Sequence, residues 1–449
     1  MTEWVMLTDF ALAGALLLAG KILRIYCPPL QRLYLPAAVL AGIIGLFLGP
    51  SGLNILPWSQ GFATNASLLT AALFAALGLT TDLPSPRLLA QRAGSLWAFN
   101  QVATVSQWLF AALMGLIMAT FIWPELNPGF GLVLSAGFMG GHGTSVVVGN
   151  IFGQLGWADA MTLGLTFATA GVFISISLGM VILQAAVKFG LVKDFTCFDK
   201  MDSYQQKGLI APSEQQPVMR ETLSALSVDS FAIHLAIVAG VTAFAYHSAN
   251  YLSSFMGQMQ IPNFVTAFIG GMLVRAIAKR TGGKRYLCDK VFSHAGATTT
   301  DFLIVFGISA IKITVLTQYL LPMILLLTGG ILFTLFLVLW VAPRMLGEDW
   351  FEKGIFSWGW LTGTVAMGIA LLRVIDPKMK GTVLDDYAIA YVPGSITDVF
   401  IISMMPIAMV KGYQAEAFLV GFGYLALVLA LWYWLLRRKN QPGIKLQQA

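Results

Sequence analysis

Long apolar runs separated by short polar and basic stretches dominate the 449 residues of this chain. In the first half they lie near 5–25, 34–50, 66–83, 95–122 and 160–187, and in the second near 228–250, 261–279, 298–315, 319–342 and 386–410. One more run, 415–436, follows. Each comes close to the roughly 20 residues that a membrane-spanning helix needs. Two further apolar segments are interrupted. Gly140-Gly141-His142-Gly143-Thr144-Ser145 breaks the segment 130–153, and Thr362-Gly363-Thr364 breaks 354–375. Glycine costs about 1 kcal/mol relative to alanine inside a helix. Backbone that leaves the helix at membrane depth has to be buried in protein or line a wet cavity. Both segments are therefore expected to be re-entrant hairpins. Interrupted segments at corresponding places in two halves point to the binding site of a secondary transporter.

Composition narrows the class without changing this picture. Apolar residues make up 57% of the chain and charged residues only 11%, against roughly 25% charged in soluble domains. No large soluble domain fits beside so many spans. The net charge of +6 does not imply a nucleic-acid partner, because the basic residues cluster at span ends. No Lys or Arg precedes the first apolar run, so it is expected to remain as a span and not to be cleaved as a signal peptide. Cys27, Cys197 and Cys288 have no metal or redox spacing and are expected to be reduced structural thiols.

Charge sets the orientation. With the N-terminus outside, all of the 27 basic residues except Lys312 and Lys411 fall on the cytoplasmic side, as the positive-inside bias requires. Five spans is an odd number, so the second half enters the membrane in the opposite direction to the first. Landmarks recur in order: Tyr34-Leu35-Pro36 with Gln260-Ile261-Pro262, Phe74 to Gly78 with Phe302 to Gly307, and Gly143-Thr144 with Gly363-Thr364. The expected fold is an all-α polytopic membrane protein. It has two inverted-topology repeats of five transmembrane helices, each with a re-entrant hairpin, plus one extra C-terminal span. The repeats are 1–187 and 228–410, joined by a cytoplasmic linker, 188–227. The extra helix and a cytoplasmic tail occupy 411–449. Hairpin 130–153 would dip in from outside and hairpin 354–375 from the cytoplasm, with their tips meeting near the middle of the bilayer.

The hairpin tips carry the candidate chemistry. Free N–H groups at broken helix ends attract anions, and freed carbonyls and hydroxyls suit a hard cation such as sodium. Gly141, His142, Gly143, Thr144 and Ser145 at the first tip, and Thr362, Gly363 and Thr364 at the second, are the candidate substrate contacts. His142 has three readings: a donor to an acidic substrate, a proton relay, or a cap on the broken helix. Asp398, a carboxylate well inside span 386–410, is a functional suspect by its depth alone. It follows Pro393-Gly394, which should loosen the helix, and lies beside Ser395 and Thr397. Asp398, Thr397, Ser395 and Asn150 are the candidate sodium ligands. Asp301 reads as a span boundary or a second intramembrane acid, and Asp82 as a structural helix-end residue. Asn100, Gln101, Thr166 and Thr169 are further candidates for a polar seam. No catalytic constellation, metal spacing of histidines or phosphate-binding loop appears, so neither an enzyme nor an ATP-driven pump is expected.

These residues resemble a known family. Leu134-Ser135-Ala136 before Gly140-Gly141-His142-Gly143-Thr144, then Ala168-Thr169-Ala170-Gly171, together with Phe74-Ala75-Ala76-Leu77-Gly78-Leu79 and a late Asp398, is similar to the bacterial sodium/glutamate symporters. The resemblance spans roughly residues 5 to 410. It implies sodium as the coupling ion and glutamate or a related acidic amino acid as substrate. It also implies a homodimer in the bacterial inner membrane, with both hairpins in a transport domain that slides as an elevator against a scaffold. The chain departs from the family at the second hairpin, where Thr362-Gly363-Thr364 stands for the usual Thr-Pro-Thr, and in the extra span. The alternatives are a proton- or sodium-coupled carrier of another small carboxylate, and a non-transporting membrane sensor on the same scaffold.

Overall fold

The computed structural model describes residues 2–32, 35–82, 84–85, 88–192, 203–219, 221–222, 224, 226, 228–255, 261–347, 349–376 and 381–439. Tyr34, Arg87, Cys197, Gln260, much of the linker 188–227 and the tail from 440 onward lie outside the described residues. Every regular element among the described residues is helical. In chain order the main helices of the first half are α1 (Glu3–Tyr26), α2 (Ala37–Leu48), α3 (Asn65–Thr80), α4 (Gly94–Phe121), α5 (Leu132–Phe138), α6 (Gly141–Gln154) and α7 (Ala160–Lys188). Then follow α8 (Ser230–Phe255), α9 (Asn263–Arg280), α10 (Asp289–Ser309), α11 (Leu320–Phe336), α12 (Trp350–Thr362), α13 (Val365–Ile375), α14 (Val383–Lys411) and α15 (Gln414–Lys439).

Among the described residues, nine helical stretches are long and apolar enough to cross a membrane. They account for all of the expected spans except 34–50 and 261–279. The first of these is the 12-residue α2, about 18 Å long at 1.5 Å per residue. The second is α9, which carries Arg275, Lys279 and Arg280 in its last turns. Pro36 and Pro262 occupy equivalent places, each the last extended residue before its helix. Proline fixes φ near −65° and lacks an N–H that the first turn would leave unpaired. Span 298–315 differs from expectation: α10 begins nine residues earlier, at Asp289, and ends at Ser309. Its start is fixed from outside the segment, since the Cys288 N–H donates to His234 Nε2 at 2.7 Å. Asp301 is accordingly an exposed residue of mid-helix and not a span boundary.

The chain divides by packing into two compact units, each drawn from both halves of the sequence. Unit 1 is Met1–Asp82, Gly140–Phe173 and Cys197–Leu320. There α3 and α9 cross with backbones nearly touching, because a Cβ on Gly271 would lie 2.6 Å from the Ala75 carbonyl oxygen and 2.8 Å from the Leu79 nitrogen. At the ends of these helices Arg275, only 5% exposed, donates to both carboxylate oxygens of Asp82 and Asp289 and to the Leu79 carbonyl. Lys279 and Lys284 close on Asp82 as well. Asp82 is thus the hub of an ion cluster.

Unit 2 is Leu83–Met139, Ile174–Thr196 and Leu321–Ala449. Its centre is α4, where Trp108 and Gln107 are buried. The extra helix α15 packs on α4 so closely that a Cβ on Gly421 would lie 2.7 Å from Leu109 Cδ2. Buried Asp386 at the start of α14 pairs with Arg92 at 3.0 Å and with Lys353 at 3.7 Å. Among the described residues, each unit therefore carries an acid–base cluster.

Candidate functional site

Both interrupted segments form two helices with a short break between them. In the first, α5 ends at Phe138 and α6 begins at Gly141. The break is smaller than the sequence implies. Gly141, at φ 61°, is in the left-handed region, which glycine enters without the strain a Cβ would add. His142 to Gln154 then continue as helix, so Gly143, Thr144 and Ser145 belong to its first turns. The Ser145 hydroxyl donates back to the Gly141 carbonyl at 2.9 Å. No side chain caps this helix. Thr144 folds over Gly140, and its hydroxyl has no partner among the described residues.

His142 is 2% exposed, and its Nε2 lies 3.2 Å from the hydroxyl of Thr169 on α7. That hydroxyl donates its proton to the Leu165 carbonyl at 2.8 Å, so its oxygen accepts from the ring. Neutral His142 spends its single N–H on Thr169. Its buried Nδ1, without a partner among the described residues, is left as an acceptor. The histidine caps no helix. Helices α6 and α7 meet closely, a Cβ on Gly149 falling 2.5 Å from Met161 Cα. Further along α6, Asn150 donates to the Ser67 hydroxyl at 2.7 Å and lines a cavity. Thr166 donates to the Thr162 carbonyl.

The second break is Gly363-Thr364, between α12 and α13. It contains no left-handed residue: φ is −138° at Gly363 and −152° at Thr364. The two helices are pressed together where a Cβ on Gly359 would overlap the backbone of Gly368. Thr362 is fully buried and donates to the Trp358 carbonyl at 2.7 Å. The Gln107 side-chain amide on α4 donates to the freed carbonyl of Leu361 at 3.1 Å and to Thr334 at 3.0 Å, while the Gln107 backbone carbonyl accepts from Ser135 on α5. Trp358 donates to the Ser175 carbonyl at 2.9 Å, and the Ser175 hydroxyl donates to the Gly359 carbonyl at 3.2 Å. Sequence reading missed Gln107, Ser175 and Trp358 as hairpin supports. A glutamine in the middle of an apolar span was the available signal for Gln107.

The four candidate sodium ligands are divided between the units. Asn150 belongs to unit 1 and the other three to unit 2. The expected loosening at Pro393-Gly394 does not occur, since α14 runs unbroken from Val383 to Lys411. Transmembrane helices tolerate proline, and the Ser395 hydroxyl donates back to the Val392 carbonyl at 2.7 Å. On a continuous helix Ser395 and Asp398 share a face, being three residues apart. Thr397 points elsewhere. It bonds Tyr424 of α15 at 3.0 Å, and Tyr424 donates in turn to Gln101 at 2.7 Å. Half-buried Asp398 has no hydrogen-bond or ion-pair partner among the described residues.

The sequence model of the sodium/glutamate symporter family matches residues 4–370. This chain belongs to that family. The match takes in the first broken segment and the second as far as residue 370, and stops before α14 and α15. The transporter's Asp398, Thr397 and Tyr424 therefore lie beyond the matched segment. No curated protein matches the chain. Membership in this family and the nine apolar helices among the described residues make the protein a multi-pass membrane symporter.

Proposed function

We propose that this protein takes up glutamate or a related acidic amino acid together with sodium, by elevator-type alternating access. One observation carries the reading: a symporter-family chain with two breaks in membrane-grade helix, each starting a new helix whose first turn has no side-chain cap. Such ends attract carboxylates through unpaired N–H groups and the helix dipole. Gly141, His142, Gly143, Thr144 and Ser145 at one break and Thr362, Gly363 and Thr364 at the other are the substrate contacts. With its Nε2–H engaged, neutral His142 offers Nδ1 to a donor such as the substrate ammonium. Asp398 and Ser395 on one face of α14 bind the sodium ion, whose charge offsets a carboxylate that is otherwise costly at membrane depth. Thr397 and Asn150 are weaker ligands, because each already holds another side chain.

The two broken segments are re-entrant hairpins in inverted repeats of five spans, and the protein works as a homodimer in the bacterial inner membrane with the N-terminus outside. Pro36 and Pro262, in equivalent positions before α2 and α9, support the repeat. The decisive experiment is uptake of labelled glutamate into sealed vesicles under imposed sodium or proton gradients. Accumulation driven by sodium alone is expected. Accumulation that follows only the proton gradient assigns a different coupling ion, and no accumulation under either refutes the reading. For orientation, a cysteine at Ser59 should react with an impermeant reagent in intact cells and one at Gln215 should not.

A further inference from the structure

Unit 1 contains a cavity of about 840 Å³, of whose lining the proposed mechanism uses only Asn150. Its volume falls in the range of small-molecule sites. Its walls come from the start of α3, the last turns of α6 and α8, the starts of α7 and α9, and the Ala310 to Lys312 segment after α10. All of these are ends that the charge bias assigns to the outside. The polar lining includes Thr70, Asn150, Asn250 and Asn263. Lys312 is the one charged residue among its lining residues, with no Asp or Glu facing it there. Among the described residues Lys312 has no carboxylate partner, and it is exposed. It is also one of only two basic residues left outside by the topology.

We propose that this cavity is the outer vestibule through which the acidic substrate enters, and that Lys312 is the charge that admits anions. The inference rests on the symport reading above. An uncompensated ammonium in a wall without carboxylates makes the local field positive, and a cleft with low-dielectric sides focuses that field on an approaching anion. The asparagine amides supply both donors and acceptors. With Asn150 Nδ2 bonded to Ser67, its Oδ1 remains to accept from the ammonium of an amino acid. A neutral substrate gains nothing from Lys312, so selectivity for acids begins here, before either hairpin is reached.

The test uses the full-length protein in right-side-out vesicles, with labelled glutamate under a fixed sodium gradient. Lys312→Gln should raise the KM for glutamate about fivefold at low ionic strength, leaving the maximal rate within about twofold, and Lys312→Arg should match the wild type. Raising ionic strength with choline chloride should lift the wild-type KM toward that of Lys312→Gln, because exposed charges are screened within about 10 Å at 0.1 M. In Lys312→Cys, labelling with aminoethyl methanethiosulfonate should restore the low KM and sulfonatoethyl methanethiosulfonate should raise it further. The unmodified wild type controls for Cys27, Cys197 and Cys288. The reagent pair acts on protein already folded in the membrane, so it stands even if Lys312→Gln inserts poorly. A wild-type KM in Lys312→Gln, or equal KM values with the two reagents, overturns the vestibule while leaving sodium-driven uptake intact. A wild type that fails to accumulate glutamate overturns the symport reading instead.

Discussion

The two helix breaks solve the same problem by different means. At the first, the chain turns through one left-handed residue, Gly141, and the groups around it are bonded within the segment or to the adjoining α7. At the second, both connecting residues have φ values open to any side chain, and distant elements hold the break: Gln107 takes the Leu361 carbonyl, and Ser175 takes that of Gly359. The first break is encoded locally by a residue type. The second is encoded by packing and by donors more than 180 residues away. This explains why the first reads plainly as Gly-Gly-His-Gly-Thr-Ser, whereas the second is only Thr-Gly-Thr.

The largest expected effect lies on α14, in the same unit as the second break. Asp398→Asn should abolish sodium-driven accumulation in a protein that still folds and inserts. Sodium should raise the melting temperature of the wild type, since an ion bound only to the folded state stabilises it, and the mutant should lose that shift. Full sodium-dependent uptake with an unchanged thermal shift in Asp398→Asn would refute the coupling role.

Gly359→Ala comes next. Its Cβ would overlap the backbone of Gly368, which cannot rotate away as a side chain can. Overpacking of this kind costs about 3 kcal/mol, readable as a fall in melting temperature in detergent. If Gly359→Ala melts like the wild type, the second hairpin is not held by this contact.

The comparison itself is tested by a matched pair. Gly141→Ala forces a side chain into the left-handed region at about 1–2 kcal/mol. Gly363→Ala should cost less, because its φ is ordinary and the nearest atom, Met367 Cγ at 3.0 Å, belongs to a flexible side chain. The reverse order of melting temperatures would show that the first tip is not set by its glycine. The smallest effect is expected from Thr169→Val, which removes the acceptor of the His142 N–H and should cost about 1 kcal/mol. Thr169→Ser, which keeps the oxygen, should restore most of that stability in the same melting assay.

Sequence alone determined the features that one segment settles by itself. Apolar runs of spanning length became helices because lipid offers the backbone no other partner, and Pro36 and Pro262 stand at helix starts because their rings pre-set φ. Gly141 turns the chain where the sequence places glycine. Tertiary structure decided what depends on residues far apart in the chain. The start of α10 is fixed by His234, which lies more than fifty residues from Cys288. The Asp82 cluster joins Arg275 across 193 residues. Pro393, read as a break, sits in an unbroken helix, and Thr397 turns toward Tyr424 on the extra span and away from the face of Asp398. The physical reason is common to all four. A backbone's own hydrogen bonds and φ limits are local and show in composition, whereas a side chain's partner is set by which helices pack together, and no single segment records that.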